Sequence, residues 1–155
     1  MPDFVAGEIV TANKMNEIPK GVLGYAFRTE NITDLSGGPV DLPDLSVQVT
    51  VRPGHVLRVV GYARVWVGEM TQGEEANFLI RRGNDPLGIK RVIAAKNGVA
   101  EGGAVEALIP TPFAGIHTYK LSFLQVTGTS DWTVVASATA PAYILVEDIG
   151  ADPNG

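Results

Sequence analysis

Two histidines, His55 and His117, are the only side chains in this 155-residue chain that could act as neutral-pH bases or as nitrogen ligands. A zinc centre needs several converging ligands, and neither histidine has a second one at helical or hairpin spacing. Both are read as structural or solvent-facing. Serine hydrolysis needs an exposed nucleophile, a histidine base and an orienting carboxylate. No Gly-x-Ser-x-Gly elbow occurs, and Ser36 ahead of Gly37 and Gly38 reads as a loop residue. A Walker-type phosphate loop and a dinucleotide fingerprint are both missing from the sequence.

The carboxylate pairs are Glu74 with Glu75, placed in a loop, and Glu147 with Asp148, placed at the end of the last strand. Neighbours in a strand point to opposite faces, so Glu147 and Asp148 cannot flank one substrate. Asp148 is better suited to bond nearby backbone before Gly150. Asn84 and Asp85 offer oxygens to calcium, but without EF-hand spacing. Asn31-Ile32-Thr33 matches a glycan acceptor only formally, because no secretory signal is expected. No catalytic residue, metal ligand or cofactor is assigned.

Composition narrows the remaining classes. The formal charge of -5 argues against a nucleic-acid binder, and the basic residues are scattered. Charged residues are 19% of the chain, below the ~25% usual in soluble proteins, so surplus apolar surface has to be covered. The longest uncharged stretch, 132–146, falls short of the ~20 apolar residues that cross a bilayer. A subunit interface is the simplest destination for that surface. There is no cysteine, hence no disulfide and no thiolate site.

These side chains sit on a sequence of strands. Leu45, Val47, Val49 and Val51 alternate with polar residues up to Pro53-Gly54. Residues 56–67 form a long strand with Leu57, Val59, Ala63, Val65 and Val67 on one face. Its other face, carrying Arg58, Tyr62, Arg64 and Trp66, is too apolar for open solvent and too charged for a deep core. Further strands are expected over 76–82, 87–95, 105–109, 116–126, 132–139 and 142–148. Asn97-Gly98 suits a tight hairpin, while Gly37-Gly38, Gly83 to Pro86 and Gly102-Gly103 mark loops.

Seven to nine strands with almost no helix predict an all-β antiparallel sandwich, jelly-roll in topology, with an immunoglobulin-like arrangement as the alternative. Residues 1–20 are expected to be a docking arm with a short helix over 12–17, residues 21–150 the sandwich and 151–155 a tail. So short a helix needs a surface to lie on. Phe4, Ile9, Val10, Met15 and Ile18 in the arm, with Tyr62 and Trp66 in the body, are candidate interface residues. Thr71, Gln72, Thr127 and Thr129 are candidate ligand-facing loop positions. Trp66 and Trp132 could serve as sugar-stacking platforms, but for any single aromatic a core or interface position is favoured, and Tyr119, Leu121 and Phe123 alternate as a core face does.

Three segments carry a family likeness: residues 6–16 (AGEIVTANKMN) with Ile18, Pro19, Gly21, Val22 and Gly24 to Ala26; residues 114–121 (AGIHTYKL); and residues 141–150 (PAYILVEDIG). Together they resemble small virion-associated proteins of tailed phages infecting actinobacteria. The likeness covers both ends and the final third, whereas 29–103 carries only a generic strand pattern. It implies a non-enzymatic virion component, assembled in the bacterial cytoplasm: an accessory minor tail or fibre-like protein gripping the particle by its arm. A capsid decoration protein at lattice symmetry axes is one alternative, and a carbohydrate-binding module is another. The implied partners are other virion proteins and further copies of the chain, with a trimer favoured. A host-surface glycan is a further candidate, and no nucleic acid or membrane is expected.

Overall fold

The computed structural model describes residues 21–68, 73–94, 101–111 and 113–154. The expected arm with Phe4, Ile9, Val10, Met15 and Ile18, the loop positions Thr71 and Gln72, and the Asn97-Gly98 turn lie outside the described residues. Ten strands account for most of the rest. They are β1 (Gly21–Arg28), β2 (Ile32–Leu35), β3 (Val40–Val51), β4 (His55–Val67) and β5 (Glu74–Arg82). There follow β6 (Asp85–Ala94), β7 (Glu101–Thr111), β8 (Gly115–Thr127), β9 (Trp132–Val135) and β10 (Ala142–Ala151).

β4 is the spine of the first sheet. One edge pairs with β7 from His55 opposite Thr111 to Val65 opposite Glu101. Its other edge pairs first with β10, Leu57 to Tyr62, and then with β9, Arg64 to Val67. β1 pairs with β10, and β2 with β9. Thus β1 with β2, and β9 with β10, are two long strands, each interrupted once. The interruptions lie side by side, and the Asn31 side-chain oxygen accepts the Ala136 N–H across them at 3.0 Å.

The second sheet has the order β3-β8-β5-β6. Set against β1-β10-β4-β7, it gives the interleaved order of a jelly roll, as the strand pattern predicts, with all pairings antiparallel. The alternation in sequence explains the core. Leu57, Val59 and Ala63 of β4 face Leu121 and Phe123 of β8 and Phe78 and Ile80 of β5, all essentially without exposure. Phe78 meets Phe123 edge-on at 6.2 Å, and Phe123 tilts against Trp132 at 5.8 Å. Each such side chain contributes about 1.5–3 kcal/mol on leaving water.

Four expectations need correction. Gly102 and Gly103 do not form a loop; they pair with Arg64 and Ala63 inside β7. The long β4 edge supplies hydrogen-bond partners there, and Gly102 leaves room for a ring: a Cβ at that position would stand 2.8 Å from the Tyr62 hydroxyl. Glu74 opens β5 instead of lying in a loop. The strand expected over 132–139 stops at Val135, because Ser137 and Ala140 close their own narrow turn. Asp85 and Pro86 belong to β6, leaving only Gly83 and Asn84 between strands.

Candidate functional site

The outer face of the first sheet carries an apolar, aromatic surface that nothing in the described chain covers. Phe27, Tyr143 and Tyr62 lie in register across β1, β10 and β4. Tyr25 lies two residues before Phe27 and therefore on the same face. The rings touch in series: Phe27 to Tyr25 at 5.6 Å, Tyr25 to Tyr143 at 6.0 Å, and Tyr143 to Tyr62 at 5.6 Å. Strands ~4.8 Å apart force neighbouring side chains to stand upright beside one another. The rings accordingly turn their faces to each other, with interplanar angles of 26° and 23° in the two stacked pairs. Such rings offer their edges outward, an arrangement that suits packing by another apolar surface.

Exposure follows the same face. Val22, Tyr25, Phe27, Trp66, Leu108 and Ile149 belong to it, half of the large apolar side chains that stand exposed among the described residues. Among the described residues its ion pairs centre on Arg58, which donates to Glu106 at 2.9 Å and to Glu147 at 3.1 Å and leaves the trio with one net negative charge. Tyr62, expected at an interface, closes the β4 end of the aromatic row, and Trp66 is 41% exposed at the β9 end. Tyr25, Phe27 and Tyr143 escaped the sequence reading. The Tyr25/Phe27 alternation was a usable signal, but which face it joined depends on pairing with β10.

The outer face of the second sheet is different in kind. Asp41 accepts from Lys120 at 2.8 Å, Arg81 at 3.1 Å and Ser122 at 2.7 Å. Burial opposes the charge on Asp41, but the hydrogen bonds from Lys120 and Ser122, with the charges of Lys120 and Arg81, outweigh it and lower the pKa. Glu75 and Arg91 make another ion pair on this sheet. Exposed apolar residues on this side are interleaved with these charges.

Other candidate residues resolve into structure. His55 is buried, with Nδ1 2.8 Å from one oxygen of Asp148 and 3.0 Å from the other. Asp148 also accepts the Gly150 N–H at 2.9 Å, the backbone bond expected of it. Glu147 points to the opposite face, toward Arg58. The Asn84 side-chain oxygen is engaged by Arg81 at 3.3 Å. Among the described residues no group of three His, Cys, Asp or Glu side chains converges as a metal site.

The loop 128–131, with Thr129 exposed within it and Thr127 exposed at its start, is pinned by Glu74. The carboxylate of Glu74 accepts the N–H groups of Thr129 and Ser130 and the Ser130 hydroxyl, the last at 2.7 Å. Burial alone would raise its pKa, yet the donors from Ser130 and Thr129 prevail and it lies below the ordinary value. Gly128, at φ +90°, passes so close to this carboxylate that a Cβ there would collide with it. Trp132 is not a sugar platform. It is fully buried, because β9 continues the inward stripe of the β9–β10 strand against Phe123.

No family model matches the chain, and no curated protein matches it. Among solved structures it is similar to the Eiger TNF from S. frugiperda, at 9% identity and a TM-score of 0.48, covering 86% of this chain and 98% of that one. It is also similar to the infectious bursal disease virus Gx strain structure, at 14% identity and a TM-score of 0.41 over 99% of this chain. There it spans about half, 48%, of the viral chain. A third similarity is to the CBM22-1 xylan-binding domain of Paenibacillus barcinonensis Xyn10C, at 10% identity and a TM-score of 0.32, covering 83% and 88% of the two chains.

Proposed function

We propose that the chain is a non-enzymatic structural subunit of a tailed-phage virion, an accessory minor tail or fibre-like component held to the particle by residues 1–20. The observation that carries this reading is the aromatic outer face of the first sheet, which is built to be covered by polypeptide. Four strands ~4.8 Å apart and about ten residues long offer roughly 600 Å² in projection. That approaches the ~800 Å² per partner of a standard interface. Two further copies of the chain, completing the favoured trimer, cover it. The charged second sheet then faces solvent or host.

Copy number in purified particles tests the role. Quantitative mass spectrometry is expected to find tens of copies or fewer per virion, and hundreds would place the chain on the shell as a decoration protein. Particles lacking it altogether would overturn the reading. Deletion of residues 2–20 is expected to abolish incorporation while the body stays folded. A second reading, carbohydrate binding, is favoured only by the exposed Trp66. Glycan-array binding lost in Trp66→Ala would support it.

A further inference from the structure

Between the two sheets, at the end where β5 and β7 finish and β8 begins, the core stripe changes chemistry. The inward residues of β5 run Ala76, Phe78, Ile80 and then Arg82; those of β8, read backward, run Phe123, Leu121, Tyr119 and then His117. The two strands pair with Ile80 opposite Leu121 and Arg81 opposite Lys120, so Arg82 arrives beside Tyr119. Its positive charge acts on the Tyr119 hydroxyl, which lies 3.0 Å from His117 Nδ1. A pocket of about 450 Å³ opens here, lined by Arg82, His117, Pro110 and Phe113.

Three features make this mouth more than a frayed end. Pockets of ~300–1,000 Å³ with apolar walls and a few convergent polar groups are the usual form of small-molecule sites. Arg28, Arg58, Arg81 and Arg91 are each ion-paired, whereas Arg82 has no salt bridge among the described residues. Its positive charge is felt by its neighbour: burial lowers the His117 pKa and Arg82 lowers it further. The pocket therefore holds a guanidinium with no acidic partner among the described residues, next to an imidazole whose pKa is lowered and the apolar Pro110 and Phe113, the latter 78% exposed.

We propose that this mouth binds a small organic carboxylate, with the carboxylate on Arg82 beside His117 and the carbon body against Pro110 and Phe113. A guanidinium fork matches a planar carboxylate bidentately. This site is independent of the virion reading and of the aromatic face, which lies outside the first sheet.

The chain's two histidines make the test direct. In imidazole-labelled full-length protein, benzoate is expected to shift the His117 resonances saturably, while the buried His55 reports on the fold and stays fixed. Acetate is expected to bind several-fold more weakly, and benzyl alcohol to leave His117 unmoved. Arg82→Gln is expected to weaken benzoate at least tenfold with His55 unchanged. If that variant disturbs His55, Phe113→Ser replaces it and is expected to erase the preference for benzoate over acetate. No saturable His117 shift, an equal response to benzyl alcohol, phosphate binding as tightly as benzoate, undiminished binding in Arg82→Gln, or a preference kept in Phe113→Ser would each overturn the assignment.

Discussion

Glu74 fixes the loop between β8 and β9 by giving its buried carboxylate to the backbone and hydroxyl of Ser130 and to the Thr129 N–H. Its pKa is held below the ordinary 4.5, so the stabilisation is present above the unfolded-state pKa. It is lost as pH falls through the lower folded value. Glu74→Gln is expected to cost about 1–3 kcal/mol near neutrality, the range for a buried hydrogen-bonding group left unsatisfied. Thermal melts from neutral to acid pH should show the gap to wild type closing as pH falls. An equal gap throughout would separate the loop from the charge. Asp148→Ala, which strips the buried His55 of its carboxylate, is likewise expected to destabilise by about 1–3 kcal/mol in chemical denaturation. At this scale the sequence was partly legible. The bond from Asp148 to nearby backbone is local, and strand alternation put Glu147 on the other side. The His55–Asp148 contact joins residues 93 positions apart and depends on β10 lying beside β4, which no local pattern encodes.

Among the elements, β9 decides how the first sheet closes around the core. Only four residues long, it places Trp132 with no exposure against Phe123 and lets Asn31 bridge the two strand interruptions. Trp132→Ala is expected to lose about 3–5 kcal/mol through the void it leaves, measured by denaturant unfolding. A loss under 1 kcal/mol would mean the indole is not a core group. Gly102→Val in β7 is expected to displace the Tyr62 ring and reduce melting temperature, with little effect on the far end of the sheet. Strand existence was readable wherever Val, Leu and Ile alternate with polar residues, as in β3 and β4. Boundaries failed where glycine misled: Gly102 and Gly103 resemble a loop, but a long neighbouring edge draws them into a ladder. Core or interface is the favoured reading for each aromatic, and Trp132 takes the core, but its short polar context carries no mark of which sheet will lie over it.

The whole molecule is two-sided. On one sheet the outward Arg58 is engaged by Glu106 and Glu147 beside a row of aromatic edges; the other carries Asp41, Lys120, Glu75 and Arg91, with the buried Arg81 paired to Asp41. That contrast was half visible beforehand, in the mixed face of β4 with Tyr62 and Trp66. Its extent was not, since Tyr25, Phe27 and Tyr143 join it only through the jelly-roll order that sets β10 between β1 and β4. Sedimentation velocity of the full-length chain across the micromolar range measures directly whether this face is covered by further copies. A closed oligomer is expected, dissociating to monomer when Tyr25→Lys and Phe27→Lys are combined, since both side chains are more than half exposed. A wild-type chain that sediments as a monomer throughout, or a double variant that assembles unchanged, would contradict it.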